Sequence, residues 1–149
     1  MAMDEMSFPP PVVHTSPEGK TYVGVRTGLW ITSREPGQGV FADRRVQAEA
    51  GGQVVTAVAI AQGVTWNTGE GSVLCKDPGS AASTTCGHTY KRSSHGQPNG
   101  KYQISATINW LVTWRCEGPC EPRTGTLTPE IPAGTEELTV GEIQTGSRP

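Results

Sequence analysis

Chemistry in this sequence would have to come from four cysteines, three histidines and a turn bracketed by glycines. Cys75, Cys86, Cys116 and Cys120 could bind a metal or cross-link the chain. A zinc site gathers thiolates and imidazoles into a tetrahedron and usually contains a closely spaced Cys pair of the C-x₂₋₄-C type. The segment CEGPC, 116–120, has such spacing. Cys86 and His88 could add two more ligands, with His95 nearby, although a single intervening residue makes an awkward chelate. The alternative is two disulfides in an exported protein, which an even cysteine count in a Gly- and Pro-rich chain favours. Proximity in sequence then selects 75–86, inside one loop, and 116–120, across one turn. On the chain-entropy model these would stabilise the fold by about 3 and about 2 kcal/mol.

The stretch VTWNTGEG, 64–71, could cradle a phosphate, hold a cation, or only turn a strand. GKT at 19–21 has the end of a nucleotide-binding P-loop, but His14 stands where the entry glycine belongs. The β-forming YVGV follows where a helix should start, so neither the backbone nest nor the helix dipole is expected. There is no G-x-S-x-G elbow and no H-E-x-x-H pair, so a hydrolytic site would have to assemble in space from loop residues. Glu70, Asp77 and Glu117 read as solvated loop carboxylates rather than an acid–base pair. No catalytic residue, cofactor or metal is therefore assigned, and a structural zinc site or a loop-built hydrolase remains the alternative.

The elements that must position these residues read as strands. Eighteen Thr and 13 Val stand against 5 Leu, and β-branched side chains fit a pleated surface better than a helix. Nineteen Gly and 12 Pro punctuate short elements. The formal charge of −2 is interspersed, without a basic stripe, which excludes nucleic acid as a partner. No apolar run reaches the length of a membrane span. The start, MAMDEMSFPPPVV, lacks the apolar region of a signal peptide. The chain is thus expected to be a mature or excised piece of a secreted or cell-envelope protein.

Residues 1–19 read as a Pro-rich arm, 20–146 as one domain and 147–149 as a tail. Strands are expected in 21–31, 44–50 and 53–60, while 71–100 reads mostly as loop pinned by its cysteines. YQISATINWLVTWR, 102–115, is the clearest element. Its even positions, Tyr102 to Trp114, are apolar and its odd ones almost all polar, the pattern of a half-buried antiparallel strand. It is too long for an ordinary strand, so it must bend at a bulge or project. CEGPC turns it into a hairpin with RTGTLTPEI, and 135–145 forms the last strand, with a bulge expected at Gly141. The total is about seven or eight short strands, an all-β immunoglobulin-like β-sandwich with an extended C-terminal hairpin. Trp66 and Trp110 are assigned to the core. Trp114, Arg115, Glu117 and Pro119 are assigned to an exposed binding tip.

Trp66-Asn-Thr-Gly69-Glu-Gly71, then His88-Thr-Tyr90, then Tyr102-Gln-Ile-Ser-Ala-Thr-Ile108 together resemble the PKD (polycystic kidney disease) domain. Its signature is a Trp-Asp-Phe-Gly-Asp-Gly turn, a His-Thr-Tyr segment and an alternating strand. Here Asn67, Thr68 and Glu70 replace Asp, Phe and Asp. The match covers about 64–112, and the chain looks like a PKD-like domain of exported actinobacterial proteins. The resemblance implies a structural glycine turn, a buried Trp66, and a binding or spacer role in contact with protein or carbohydrate.

Overall fold

The computed structural model describes residues 7–35 and 37–143. The β-branched segments between glycine turns form ten strands: β1 (Val12–Ser16), β2 (Lys20–Tyr22), β3 (Arg26–Thr32), β4 (Arg44–Ala50), β5 (Gln53–Asn67), β6 (Ser72–Cys75), β7 (Cys86–Thr89), β8 (Tyr102–Glu117), β9 (Thr124–Leu127) and β10 (Gly134–Gly141). Two single 3-10 turns, Ser94–Gly96 and Pro98–Gly100, precede β8. The expected all-β class is correct, with ten strands among the described residues rather than about seven or eight.

Strands β1, β3 and β7 form a three-stranded antiparallel sheet. The other seven form one sheet whose spine is the antiparallel pair β5–β8. Each half of that spine has its own neighbours. The Trp66 half runs β6-β5-β8-β10-β2, with β2 parallel to β10. The Trp114 half runs β4-β5-β8-β9. One apolar core joins Val13, Leu29 and Ile31 of the small sheet to Trp66, Ile104, Leu138 and Val140 of the large one. The two sheets therefore make a sandwich.

A bulge separates the halves. Pairing runs from Val54–Glu117 to Ala61–Trp110, skips Gln62, and resumes at Gly63–Asn109. The extra residue shifts the side-chain parity of β5 by one. Before it, Ala57 and Ala59 share the face of Trp114 and Val112; after it, Val64 and Trp66 share the face of Ile108 and Ala106. Residues 53–60 all precede the slip, and they read as apolar on both faces because Val54, Val58 and Ile60 alternate with Val55, Ala57 and Ala59. β8 itself is unbroken over 16 residues, about 54 Å at the usual rise per residue. The longest strand of the small sheet, β3, has 7 residues, about 24 Å. The small sheet cannot cover the whole ribbon, so its β4–β9 end projects.

Three expectations need correction. The segment 1–19 is not wholly an arm: β1 pairs along β3 and Val13 is buried in the core. Gly141 is not a bulge. It ends β10 in register with Tyr22, and Ile143 beyond it is exposed. The loop 71–100 contains β6, β7 and both 3-10 turns. The last two residues of the expected strand 135–145, and the tail 147–149, lie outside the described residues.

Candidate functional site

The glycine turn joins β5 to β6, and it occupies its own polar groups. The Thr68 N–H donates to the Gly71 carbonyl (2.9 Å), the Gly69 N–H to Asn67 Oδ1 (3.0 Å), and the Glu70 N–H to Thr68 Oγ1 (3.2 Å). An anion nest needs such N–H groups free, and these three are taken. Gly69 has φ +92°, and a Cβ there would stand 2.5 Å from the Tyr102 ring. Only glycine fits both the backbone angle and the contact. Trp66 is buried, as its place in the turn motif implies.

The Glu70 carboxylate is equally committed. It pairs with His88 Nε2 (2.8 Å) and accepts from the N–H groups of Lys91 (3.1 Å) and Arg92 (2.9 Å). Tyr102 Oη approaches it at 3.5 Å. Burial works against its ionisation, but the hydrogen bonds from His88, Lys91 and Arg92 outweigh burial and hold the carboxyl below its ordinary range. The expectation of a solvated Glu70 is therefore wrong: it ties the turn to β7 and to the loop after it. Burial and then the Glu70 charge push the Tyr90 and Tyr102 phenols up. The Tyr90 hydroxyl donates to the Thr68 carbonyl (2.6 Å), and its ring stacks on Tyr102 at 4.8 Å. A depression of about 420 Å³ opens beside Glu70 and His88, bordered by Lys91, Arg92 and Gln97. No serine, threonine or cysteine lines it, and the hydroxyl that does, Tyr102 Oη, donates to the Arg92 carbonyl (2.9 Å).

Both expected disulfides are present, Cys75–Cys86 and Cys116–Cys120. All four sulfurs are bonded to sulfur and do not offer the thiolates a zinc site would use. Cys75–Cys86 anchors the loop 76–85, which folds back over the outside of the small sheet. Ile31 N–H donates to the Pro78 carbonyl (3.0 Å), and Arg26 donates to the Thr84 carbonyl (2.9 Å). A Cβ on Gly28 would stand 2.5 Å from Thr84. Asp77 also serves this loop, accepting from the Gly79 N–H (3.0 Å) and the Thr85 hydroxyl (2.6 Å). In the GKT segment, Thr21 is buried in β2 and accepts a hydrogen bond from the Thr27 hydroxyl (2.8 Å), a structural role.

The expected binding tip divides between two faces. Trp114 and Arg115 are neighbours on β8 and point to opposite sides. Across the projecting sheet Trp114 stands in a row with Val46, Ala57 and Gly125. A Cβ on Gly125 would lie 2.6 Å from the indole, so the returning strand half-covers it. Arg115 stands in the row Gln47–Thr56–Arg115–Thr124, beside the row Arg45–Val58–Thr113–Thr126. Glu117 shares that face one row further on, opposite Val54 and Glu49. Pro119 lies in the turn, where its carbonyl accepts from the Gln53 amide.

Sequence reasoning missed Glu70 as an organiser and Arg45 as a neighbour of Arg115. The alternation of β4 exposes Arg45, but only strand pairing across β5 brings it near Arg115. Arg44, on the other face, is held by Glu35 (2.8 Å) and lies over the Trp110 ring at 5.4 Å, with Phe8 against Trp110 at 5.5 Å. Comparison with protein-family models, curated proteins and solved structures finds no match to this chain.

Proposed function

We propose that the chain is a non-catalytic interaction module of an exported protein. In this reading it is an immunoglobulin-like sandwich of the PKD type whose projecting end meets a protein or carbohydrate outside the cell or in its envelope. The observation that carries the proposal is the outward face of the β4-β5-β8-β9 end of the large sheet, on which Arg45, Thr113, Arg115 and Thr124 are exposed. The histidine–carboxylate pair supports a non-catalytic role because its carboxylate is spent on holding a turn. Export is supported by the two disulfides, which persist in oxidising compartments. No helix among the described residues is long and apolar enough to cross a membrane. A second reading, a rigid spacer, is favoured by the unbroken length of β8.

The test is binding of the oxidised whole chain to arrays of extracellular polysaccharides and envelope proteins. A saturable partner is expected, with Arg115→Glu weakening it by roughly tenfold or more, about 1.4 kcal/mol, at an unchanged melting temperature. Absence of any saturable partner would favour the spacer. Turnover of a bound partner would overturn the non-catalytic reading.

A further inference from the structure

The outer face of the projecting sheet has a ligand chemistry of its own. A depression of about 410 Å³ there is lined by Arg45, Thr56, Thr113, Arg115, Thr124 and Thr126, within the size range of small-ligand pockets. Arg45 and Arg115 both border the same depression, and none of the ion pairs among the described residues includes either. Each can present a planar fork of donors to a carboxylate or sulfate. The four threonines add hydroxyls that both donate and accept. From the registers Glu49 and Glu117 stand one row beyond, flanking Val54. Their charge closes that end to an anion, and leaves open the direction toward Val58, Ile60 and Leu111.

From this arrangement we infer that the outer face of the projecting sheet binds an acidic polysaccharide, its carboxylate or sulfate groups on Arg45 and Arg115 and its hydroxyls on the threonines. The inference rests on the interaction-module reading and names its site and ligand class. A sugar chain fits better than a peptide for a physical reason. The site lies on a sheet face, which offers side-chain hydroxyls, whereas an added peptide strand takes its main-chain hydrogen bonds from a sheet edge. Trp114 and Gly125 also border the depression, with the indole lying against Gly125 on the other face of the strands.

The experiment is amide chemical-shift mapping of the oxidised whole chain against trigalacturonate, a sulfated galactan oligomer, neutral maltotriose and an oligoglutamate peptide. One or both acidic sugars should saturably shift Arg45, Thr56, Thr113, Arg115, Thr124 and Thr126; which one does so separates carboxylate from sulfate recognition. Maltotriose should leave these amides unmoved. Added salt should weaken binding, as expected for exposed charges. Arg45→Gln with Arg115→Gln should weaken it by roughly tenfold or more, with the remaining spectrum unchanged because both side chains are exposed. Arg45→Lys with Arg115→Lys should fall between, since charge is kept and the fork is lost. Equal shifts with maltotriose, tighter binding of oligoglutamate, or shifts mapping elsewhere would overturn the site. If acidic sugars fail while another partner saturates at a different surface, this site falls and the interaction-module reading stands.

Discussion

Replacing Glu70 by Gln removes one negative charge and nearly preserves the shape of the side chain. The carboxylate receives His88 and the main-chain N–H groups of Lys91 and Arg92 at 2.8–3.1 Å. An amide retains one acceptor oxygen without charge. Hydrogen bonds to charged groups contribute about 1.5–3 kcal/mol and neutral ones about 0.5–1.5, a difference near 1 kcal/mol for each bond. Across these partners Glu70→Gln should cost roughly 2–3 kcal/mol at pH 7. For a chain of this size that lowers the melting temperature by about 5–10 °C. The pH dependence follows from the lowered carboxyl pKa. The stabilisation is fully present above the unfolded pKa and is lost as the pH falls through the folded one. The gap between wild type and variant should therefore close in acid, where the wild-type side chain is protonated and also neutral. Urea unfolding followed by tryptophan fluorescence, at pH 7 and at a series of acid values, measures both. A loss below about 0.5 kcal/mol at pH 7, within the range of ordinary surface substitutions, would refute the organising role. So would a loss that stays constant into acid.

Gly69→Ala should destabilise by about 2–4 kcal/mol, because φ +92° is strained for a side chain and the new Cβ meets the Tyr102 ring at 2.5 Å; thermal melts check it. Trp66→Ala should cost about 3–5 kcal/mol or prevent folding, whereas half-covered Trp114→Ala should cost less than Trp66→Ala in parallel urea titrations. Cys75→Ser with Cys86→Ser should destabilise by about 3 kcal/mol and expose the loop 76–85 to limited proteolysis, read by mass spectrometry. Intact mass of the oxidised chain should fall four hydrogens below the reduced value, as two disulfides require.

Much of the fold was legible because β periodicity is a local property. The alternation along Tyr102–Trp114 gave β8 and its buried face, and RRVQAEA gave β4. Gly51-Gly52 marked the hairpin between β4 and β5. Where the sequence misled, a distant partner decided. β1 looked like an arm because a short strand between prolines carries little signal until β3 pairs with it. The Gln62 bulge was hidden because Val54, Val58 and Ile60 are apolar on the outward face. Glu70 looked like any loop carboxylate, since its partners lie 18 to 22 residues away.

The sequence by itself determined the all-β class, the two nearest-neighbour disulfides and the burial of Trp66, because strand alternation, short loop closure and turn chemistry act within a few residues. Only the tertiary structure decided that Trp114 and Arg115 serve different faces, that Arg45 lies near Arg115, and that Glu70 is a structural anchor. Those facts depend on which strands pair and in what register, and register is fixed by burial across the whole sandwich rather than by any one segment.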